Sequence, residues 1–231
     1  MSILVTGFEP FGGSAQNPTA HLVAQLAAAP PEGVELQTAV LPVDRYAGPD
    51  QLIRTLIKTQ PQQVLCLGEA GGRAVVSVER VAVNLLDFDI ADNQENQPVD
   101  EPIQPEGPAA YFATLPVRRM VAQLVAAGIP AQISLSAGTY LCNQVMYTVL
   151  HYIHKHRLPI QAGFVHLPQL PAQVAAAGVS RPSMSLELQE KGVRLLIELL
   201  ASGKIDDPHK KRDAPQAGAH GDISGGEPDT V

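Results

Sequence analysis

Residues 3–26 read ILVTGFEPFGGSAQNPTAHLVAQL, and the order of apolar and turn-forming residues in this stretch decides the fold. The β-branched, apolar start up to Gly7 predicts a short buried strand. Asn17 followed by Pro18 predicts a helix N-cap with proline in the first helical turn. The mostly apolar run His21-Leu22-Val23-Ala24-Gln25-Leu26 then predicts a helix. A strand, a glycine-rich loop and a helix form the unit from which parallel sheets are built.

The same alternation continues along the chain. Further strands are predicted near residues 36–41, 63–67, 132–136 and 162–167, and further helices over residues 45–59, 117–127, 141–156 and 186–200. A β-rich stretch at 75–86 predicts an antiparallel excursion. Strands that alternate with helices predict an α/β fold of three layers, α/β/α, with a doubly wound and mainly parallel sheet.

Size and composition indicate a globular protein. The chain has 231 residues, of which 45% are hydrophobic and 17% are charged. We expect residues 1–203 to form a single α/β domain, and residues 204–231, which are poor in large apolar side chains, to form a disordered C-terminal tail. The acidic, proline-bearing segment 87–108 predicts a long surface loop that could also act as a lid.

Charge and cysteine usage exclude several classes of partner. The net charge of −7 and the pI of about 5.4 argue against binding to nucleic acid or to an anionic membrane. No apolar run approaches the roughly 18–20 residues that span a bilayer, and no leader is recognisable, so we expect a cytoplasmic protein. Cys66 and Cys142 predict no disulfide framework, and they lack the spacing of a metal site.

The glycine-rich loop after the first strand has only a superficial likeness to a phosphate-binding loop. Gly13 stands where a phosphate loop would carry lysine, and Phe8, Pro10 and Phe11 crowd the loop with apolar rings. Two rings at this edge of a sheet suit a small, flat, apolar or amide-like ligand. The alternative is that both rings pack into the core.

Cys142 is predicted to lie in the first turn of a helix. The unpaired N–H groups and the dipole at a helix N-terminus favour a thiolate and could hold a developing oxyanion. The alternative is a buried thiol, because Cys142 shares the apolar face of the helix with Val145, Met146 and Val149. Cys66 lies inside an apolar strand, so we interpret it as structural.

His166 ends the predicted strand that follows the Cys142 helix. A right-handed crossover would bring the two residues to the same sheet edge if their strands are neighbours. A base beside a thiol can catalyse nucleophilic attack on a carbonyl, although a lone histidine in apolar surroundings can also be a core residue. The residues alone do not select, among 23 Asp and Glu, the group that would orient the imidazole.

Several motifs together resemble the pyroglutamyl-peptidase I family, from the first strand to about Leu200. They are Gly7-Phe8-Glu9-Pro10-Phe11-Gly12-Gly13, Asn17-Pro18, Ala70-Gly71-Gly72-Arg73, Glu79-Arg80-Val81-Ala82-Val83-Asn84, Asp92-Asn93, Gly107-Pro108, Ser136-Ala137-Gly138-Thr139-Tyr140-Leu141-Cys142-Asn143 and Gly163-Phe164-Val165-His166-Leu167-Pro168. They occur in the family's order and include an unusual turn around the cysteine.

The resemblance implies a cysteine exopeptidase that hydrolyses the N-terminal L-pyroglutamyl residue from peptides and proteins through a thioacyl-enzyme. It implies Cys142 as nucleophile, His166 as base and then acid, and Glu79 as the group that orients His166. It implies a substrate pocket lined by Phe8, Phe11, Glu69, Ile90, Tyr140 and Leu141. It also implies a cytoplasmic homotetramer that needs no cofactor and no metal.

Two residues depart from the pattern of many relatives. Glu69 stands where they carry a neutral residue, and its charge would raise the pKa of Cys142. An ungapped alignment places Asp89 where they carry an arginine that assists the oxyanion. These departures leave open a catalytically weakened or inactive relative that binds a pyroglutamyl lactam. A nucleoside phosphorylase-like enzyme on a similar fold is a third hypothesis, although this chain lacks the cations that such an enzyme uses for phosphate.

Overall fold

The structure is a computed structural model that describes residues 1–203, so the tail predicted for residues 204–231 lies outside it. The strands are β1 (Ser2–Phe8), β2 (Glu35–Leu41), β3 (Gln63–Glu69), β4 (Val76–Glu79), β5 (Val81–Val83), β6 (Ala110–Phe112), β7 (Ala131–Ser134) and β8 (Gln161–Leu167). The helices are α1 (Pro18–Ala28), α2 (Ala47–Thr59), α3 (Val117–Ala126), α4 (Leu141–His156), α5 (Pro171–Ala177) and α6 (Leu186–Ala201).

The central sheet has six strands in the order β2-β1-β3-β8-β4-β7. Strands β2, β1, β3 and β8 run parallel, whereas β4 runs antiparallel to β8 and parallel to β7. Strands β5 and β6 form a separate antiparallel pair. The predicted fold class, a mainly parallel sheet with an antiparallel excursion, is confirmed.

A buried apolar cluster covers each face of the central sheet. Successive residues of a strand point to opposite faces, so Ile3 and Val5 belong to one cluster and Leu4 to the other. Helices α1, α3 and α6 pack on the first face, and α2 and α4 pack on the second. The fully buried Cys66 lies in the second cluster, which agrees with a structural role.

The predicted cap of the first helix is confirmed. The Asn17 side chain accepts hydrogen bonds from the backbone N–H and the hydroxyl of Thr19, and Pro18 begins the helix. The sequence did not predict α5 or β6, because both are short and carry no complete apolar period. Among residues 1–203, no helix is long and apolar enough to cross a membrane.

One expectation about topology is wrong. The strand before the Cys142 helix, β7, is not a neighbour of β8, because β4 lies between them. Strand β7 also runs opposite to β8, so no parallel crossover joins them. Instead, residues 135–140, here called the cysteine loop, carry the chain from the end of β7 to the start of α4.

Candidate active site

An open cavity of about 630 Å³ lies beyond the carboxyl ends of β1, β3 and β8. Its wall contains all of the predicted site residues except Glu79: Phe8, Phe11, Glu69, Ile90, Tyr140, Leu141, Cys142 and His166. Glu79 is fully buried and lies behind the imidazole of His166. This is the edge of an open parallel sheet at which ligands bind.

Cys142 is the second residue of α4, as predicted. Tyr140 is the N-cap residue and has an extended backbone. Its side chain accepts no hydrogen bond from the first N–H groups of the helix, so the cap does not occupy these donors. The Asn143 amide fixes the helix to the β5 region by donating to the carbonyls of Val83 and Leu85. The Thr139 hydroxyl donates to the Asp87 carbonyl and holds the cysteine loop.

Gly68 places the thiol of Cys142 relative to His166. An ideal Cβ at Gly68 would lie 2.8 Å from Sγ of Cys142, so the sulfur packs directly over this glycine. Gly68 pairs with His166 across the ladder between β3 and β8, and paired strands lie about 4.8 Å apart. The thiol and the imidazole therefore lie above neighbouring strands and face one cavity.

The imidazole of His166 is held by a buried carboxylate. His166 Nδ1 donates to Oε1 of Glu79 over 2.7 Å, and Arg73 Nη1 donates to the same oxygen over 2.6 Å. The carboxylate is paired with a guanidinium and its pKa is lowered, so it is ionised and can only accept; Nδ1 therefore carries the proton. This tautomer leaves Nε2 of His166 with a free lone pair that can accept a proton.

Burial sets the charge state of the thiol and the imidazole. Loss of water, together with the charges of Glu79 and Glu69, raises the pKa of the half-buried Cys142 to about 12, although Arg73 opposes the shift. Burial lowers the pKa of His166, and Glu79 offsets part of that shift. We therefore expect a neutral thiol beside a neutral imidazole at rest, although the helix N-terminus predicted a thiolate.

The pKa of Glu79 lies below its ordinary value. Burial alone would raise it, but the hydrogen bonds and charge of His166, with smaller contributions from Ser134 and Arg73, outweigh that effect. Glu79 therefore stays ionised inside the protein and can stabilise an imidazolium that forms during a reaction.

Aromatic rings line the end of the cavity next to the glycine-rich loop. Phe8 is buried, and Phe11 is half-buried with its ring 6.1 Å from that of Tyr140. The ring of Tyr140 packs in turn against Phe88, 4.4 Å away between centroids, and its hydroxyl donates to the Ala91 carbonyl. Phe8 thus belongs both to the core and to the cavity wall, so the two interpretations of these rings are compatible.

Glu69 lies in the cavity wall with both carboxylate oxygens engaged. Oε1 accepts from the amide of Gln169, and Oε2 accepts from the amide of Gln173 over 2.9 Å. Each carboxylate oxygen has a second lone pair, so Glu69 can still accept a hydrogen bond from a ligand. Its charge raises the pKa of Cys142, as the sequence predicted.

The acidic segment 87–108 is partly a wall of the cavity and not only a solvated loop. Its residues Asp87, Asp89 and Ile90 line the cavity, whereas Phe88 and Asp92 are buried. The Asp92 carboxylate fixes this segment by accepting from several backbone N–H groups. Asp89 therefore lies in the site without the positive charge that the resemblance places there.

Gly68→Ala is expected to damage the site directly. The new methyl would lie 2.6 Å from Cζ of Phe164 and 2.8 Å from Sγ of Cys142, so one of them must move. Displacing a reacting atom by 1 Å lowers rates by about 100-fold, and we expect kcat/KM on a reporter of the substrate that the resemblance implies to fall by that order. Overpacking should also lower the free energy of unfolding by about 1–3 kcal/mol.

Gly163→Ala is the matched control for this prediction. A methyl at Gly163 would lie 3.1 Å from Leu115, which belongs to the cluster on the other face of the sheet. It should lower stability without moving the sulfur. Equal kcat/KM values for the two alanine variants at matched folded fractions would contradict the role given to Gly68.

Residues to which the sequence gave no role also contribute to the site. Arg73 contacts Glu79 from the turn between β3 and β4, and Val43, Asp87 and Arg181 line the cavity. Local sequence gave no signal for Arg73, because only the structure shows that its partner Glu79 is buried. Arg181 lies in an irregular segment between α5 and α6, where periodicity gives no information.

A thiol at a helix N-terminus, a nearby imidazole and a carboxylate that orients the imidazole define the site of a cysteine-type hydrolase. Among residues 1–203, no group of three or more His, Cys, Asp or Glu is placed to hold a metal ion. The α/β sheet and this group of side chains therefore place the protein among cysteine hydrolases that act on a carbonyl.

Comparisons with known proteins are consistent with this class. A family model described as pyroglutamyl peptidase matches residues 1–202. Pyrrolidone-carboxylate peptidase of Vibrio vulnificus is 44% identical over 207 residues, which cover 90% of this chain and 96% of that protein. The protein of the same name from Gloeobacter violaceus is 45% identical over 202 residues, which cover 87% and 98%.

Solved structures agree in both fold and sequence. A mutant pyrrolidone carboxyl peptidase from Pyrococcus furiosus matches with a TM-score of 0.85 and 40% identity, over 89% of this chain and 100% of that one. Pyroglutamyl peptidase I from Bacillus amyloliquefaciens matches with a TM-score of 0.83 and 38% identity, over 87% and 97%. This chain belongs to the pyroglutamyl peptidase family of cysteine peptidases.

Proposed function

We propose that this protein hydrolyses the bond after an N-terminal L-pyroglutamyl residue in peptides and proteins. The observation that carries the proposal is the cavity in which Cys142 and His166 face an apolar wall formed by Phe8, Phe11 and Tyr140. Family membership over residues 1–202 supports the same activity. We also propose that residues 1–203 act as one catalytic domain, in a cytoplasmic homotetramer that requires no cofactor.

The apolar wall suits the chemistry of the substrate. A pyroglutamyl group is a neutral five-membered lactam, and it has no free amine for an ordinary aminopeptidase to bind. Flat apolar rings can enclose it, and Glu69 can accept its N–H. A cavity of about 630 Å³ is far larger than one lactam ring, so it also has room for the residue after the scissile bond.

In the proposed mechanism Sγ of Cys142 attacks the carbonyl carbon of the scissile bond, not that of the lactam. The thiol proton passes at the same time to Nε2 of His166. The free N–H groups in the first turn of α4 hold the oxyanion. His166 then protonates the departing amine, which leaves as the shortened peptide, and a thioester joins Cys142 to the pyroglutamyl group. Water activated by His166 hydrolyses the thioester, releases pyroglutamate and restores the thiol.

A comparison of two reporters tests the proposed specificity. We expect the wild-type protein to release a fluorescent amine from a pyroglutamyl reporter at least about 100-fold faster, in kcat/KM, than from the matching prolyl reporter. Proline has the same ring size, but it lacks the lactam carbonyl and carries a charged amine that the apolar wall would desolvate. Equal rates on the two reporters, or release from the prolyl reporter alone, would contradict the proposal.

A further inference from the structure

Arg73 connects three parts of the site that are distant in sequence. It lies in the turn between β3 and β4 and lines the cavity. Its Nη1 donates to Oε1 of Glu79 over 2.6 Å and lies 3.4 Å from the Ser134 hydroxyl. Its Nη2 donates to the carbonyl of Ser136 over 2.9 Å. Ser136 belongs to the cysteine loop, which leads directly into the helix that carries Cys142.

We propose that Arg73 is a positioning residue for the reaction, because it fixes the Glu79 carboxylate toward His166 and ties the cysteine loop to that same carboxylate. This inference rests on the function proposed above. Oε1 of Glu79 accepts from both Arg73 and His166, whereas Oε2 is buried without a partner. Without Arg73, the bond from His166 would be the main remaining anchor of Oε1, and the carboxylate could tilt away from Nδ1.

The guanidinium also balances charge in the cavity. The charged and titratable groups that act on the thiol and the imidazole are Glu79, Glu69, Arg73 and Cys66. The two carboxylates oppose a negative charge on Cys142, and Arg73 favours it. Arg73 lowers the pKa of His166, which Glu79 raises. The positive charge of Arg73 therefore favours both a thiolate and a neutral imidazole.

Arg194 provides a matched control. Its guanidinium binds the carboxylate of Glu190 over 2.8 Å and the backbone carbonyl of Ala29 over 2.8 Å, so it repeats the bonding of Arg73 outside the site. The two side chains are also equally exposed, 28% for Arg73 and 27% for Arg194. Arg194→Gln therefore removes a similar pair of bonds without touching the cavity; because Glu190 is 25% exposed and Glu79 is fully buried, the variants are compared at matched folded fractions.

The test compares Arg73→Gln, Arg73→Lys and Arg194→Gln on the pyroglutamyl reporter. The outer partners of metal-bound histidines are worth about 10- to 100-fold in activity, and we expect Arg73→Gln to lower kcat by a similar factor. KM should change less than about threefold, since both terminal nitrogens of Arg73 already donate to protein groups. The acidic limb of kcat/KM should move to higher pH, because His166 loses a neighbouring positive charge.

Arg73→Lys separates charge from geometry. Lysine keeps the positive charge but cannot bind Glu79 and Ser136 with one planar fork. Its pH profile should return to that of the wild type, while its kcat should remain below the wild-type value. Arg194→Gln should keep the wild-type kcat and pH profile.

Alkylation of Cys142 by iodoacetamide gives a readout that does not depend on the substrate. Arg73→Gln should slow alkylation at pH 7 by at least about threefold, and Arg73→Lys should restore the rate. Cys142→Ser identifies the reacting thiol. If the wild type reacted normally with iodoacetamide but cleaved no pyroglutamyl reporter, the proposed function would fail while the alkylation comparison still tested Arg73.

Three outcomes would overturn the inference. One is an Arg73→Gln variant whose kcat, pH profile and alkylation rate equal those of the wild type. Another is a rise in KM with unchanged kcat, which would make Arg73 a substrate-binding residue. The third is an equal loss of kcat in Arg194→Gln, which would show that the effect comes from general destabilisation.

Discussion

Replacing Cys142 by alanine is expected to lower kcat on a pyroglutamyl reporter by about 10⁶-fold, the loss seen when a hydrolase loses its nucleophile. The variant keeps the imidazole of His166, the N–H groups of α4 and the apolar wall. It cannot form the thioester, so water would have to attack the substrate directly. The measurement is release of the fluorescent amine at enzyme concentrations high enough to detect residual turnover.

Cys66→Ala is the matched control, because it removes the other thiol of the chain. Cys66 is fully buried in the cluster beneath α4, and burial raises its pKa to about 12. We expect Cys66→Ala to lower stability by about 1 kcal/mol and to keep most of the activity. Activity that persists in Cys142→Ala, or disappears only in Cys66→Ala, would contradict the proposed mechanism.

The same pair of variants distinguishes an enzyme from a relative that only binds the lactam. Glu69 raises the pKa of Cys142, and Asp89 brings a negative charge to the cavity wall. If both opposed catalysis strongly, the wild type would turn over no faster than Cys142→Ala, although pyroglutamate would still raise its melting temperature. A binding role would then replace the peptidase role.

The layered fold could be predicted because the spacing of apolar residues within each strand and helix indicates the type of element. The local signals include the β-branched residues before Gly7, the Asn17 cap and the apolar face of α4. The structure contains the corresponding strand, cap and helix. The location of the site could also be predicted, because the loops that follow parallel strands meet at one edge of the sheet. This placed Phe8, Phe11 and His166 near one another without any knowledge of contacts.

The insertion of β4 between β7 and β8 could not be predicted in this way. Strand order depends on pairing between segments far apart in the chain, and Val76–Glu79 pairs with both residues 131–134 and residues 165–166. That pairing also brings Glu79 to His166. Local sequence does not distinguish Glu79 from the other carboxylates of the chain. The resemblance to a family supplied Glu79, whereas no pattern supplied the contact with Arg73.

The charge state of the Cys142 thiol depends on tertiary contacts more than on its place at the start of a helix. A helix N-terminus favours an anion by about 0.3–1 kcal/mol at exposed sites. Burial of Cys142 and the charges of Glu79 and Glu69 act in the opposite direction and together raise its pKa to about 12. Proton transfer to His166 during attack is therefore needed, so the carboxylate that supports His166 should matter almost as much as the sulfur.

Glu79→Gln is accordingly expected to lower kcat by about 10⁴-fold, as in hydrolases whose orienting carboxylate becomes an amide. Glutamine has the same size but no charge, so it cannot stabilise the imidazolium that forms when His166 accepts the proton of Cys142. Arg73 would also lose its ion pair with the carboxylate.

The pH profile of the residual activity identifies the cause. Glu79 raises the pKa of His166, so the amide should lower that pKa further and move the acidic limb of kcat/KM to lower pH. Arg73→Gln should move the limb in the opposite direction. Glu190→Gln, which breaks the ion pair with Arg194 on α6, should leave rate and profile unchanged. An acidic limb that stayed in place in Glu79→Gln, with kcat reduced only in proportion to the unfolded fraction, would show that Glu79 supports the fold and not the imidazole.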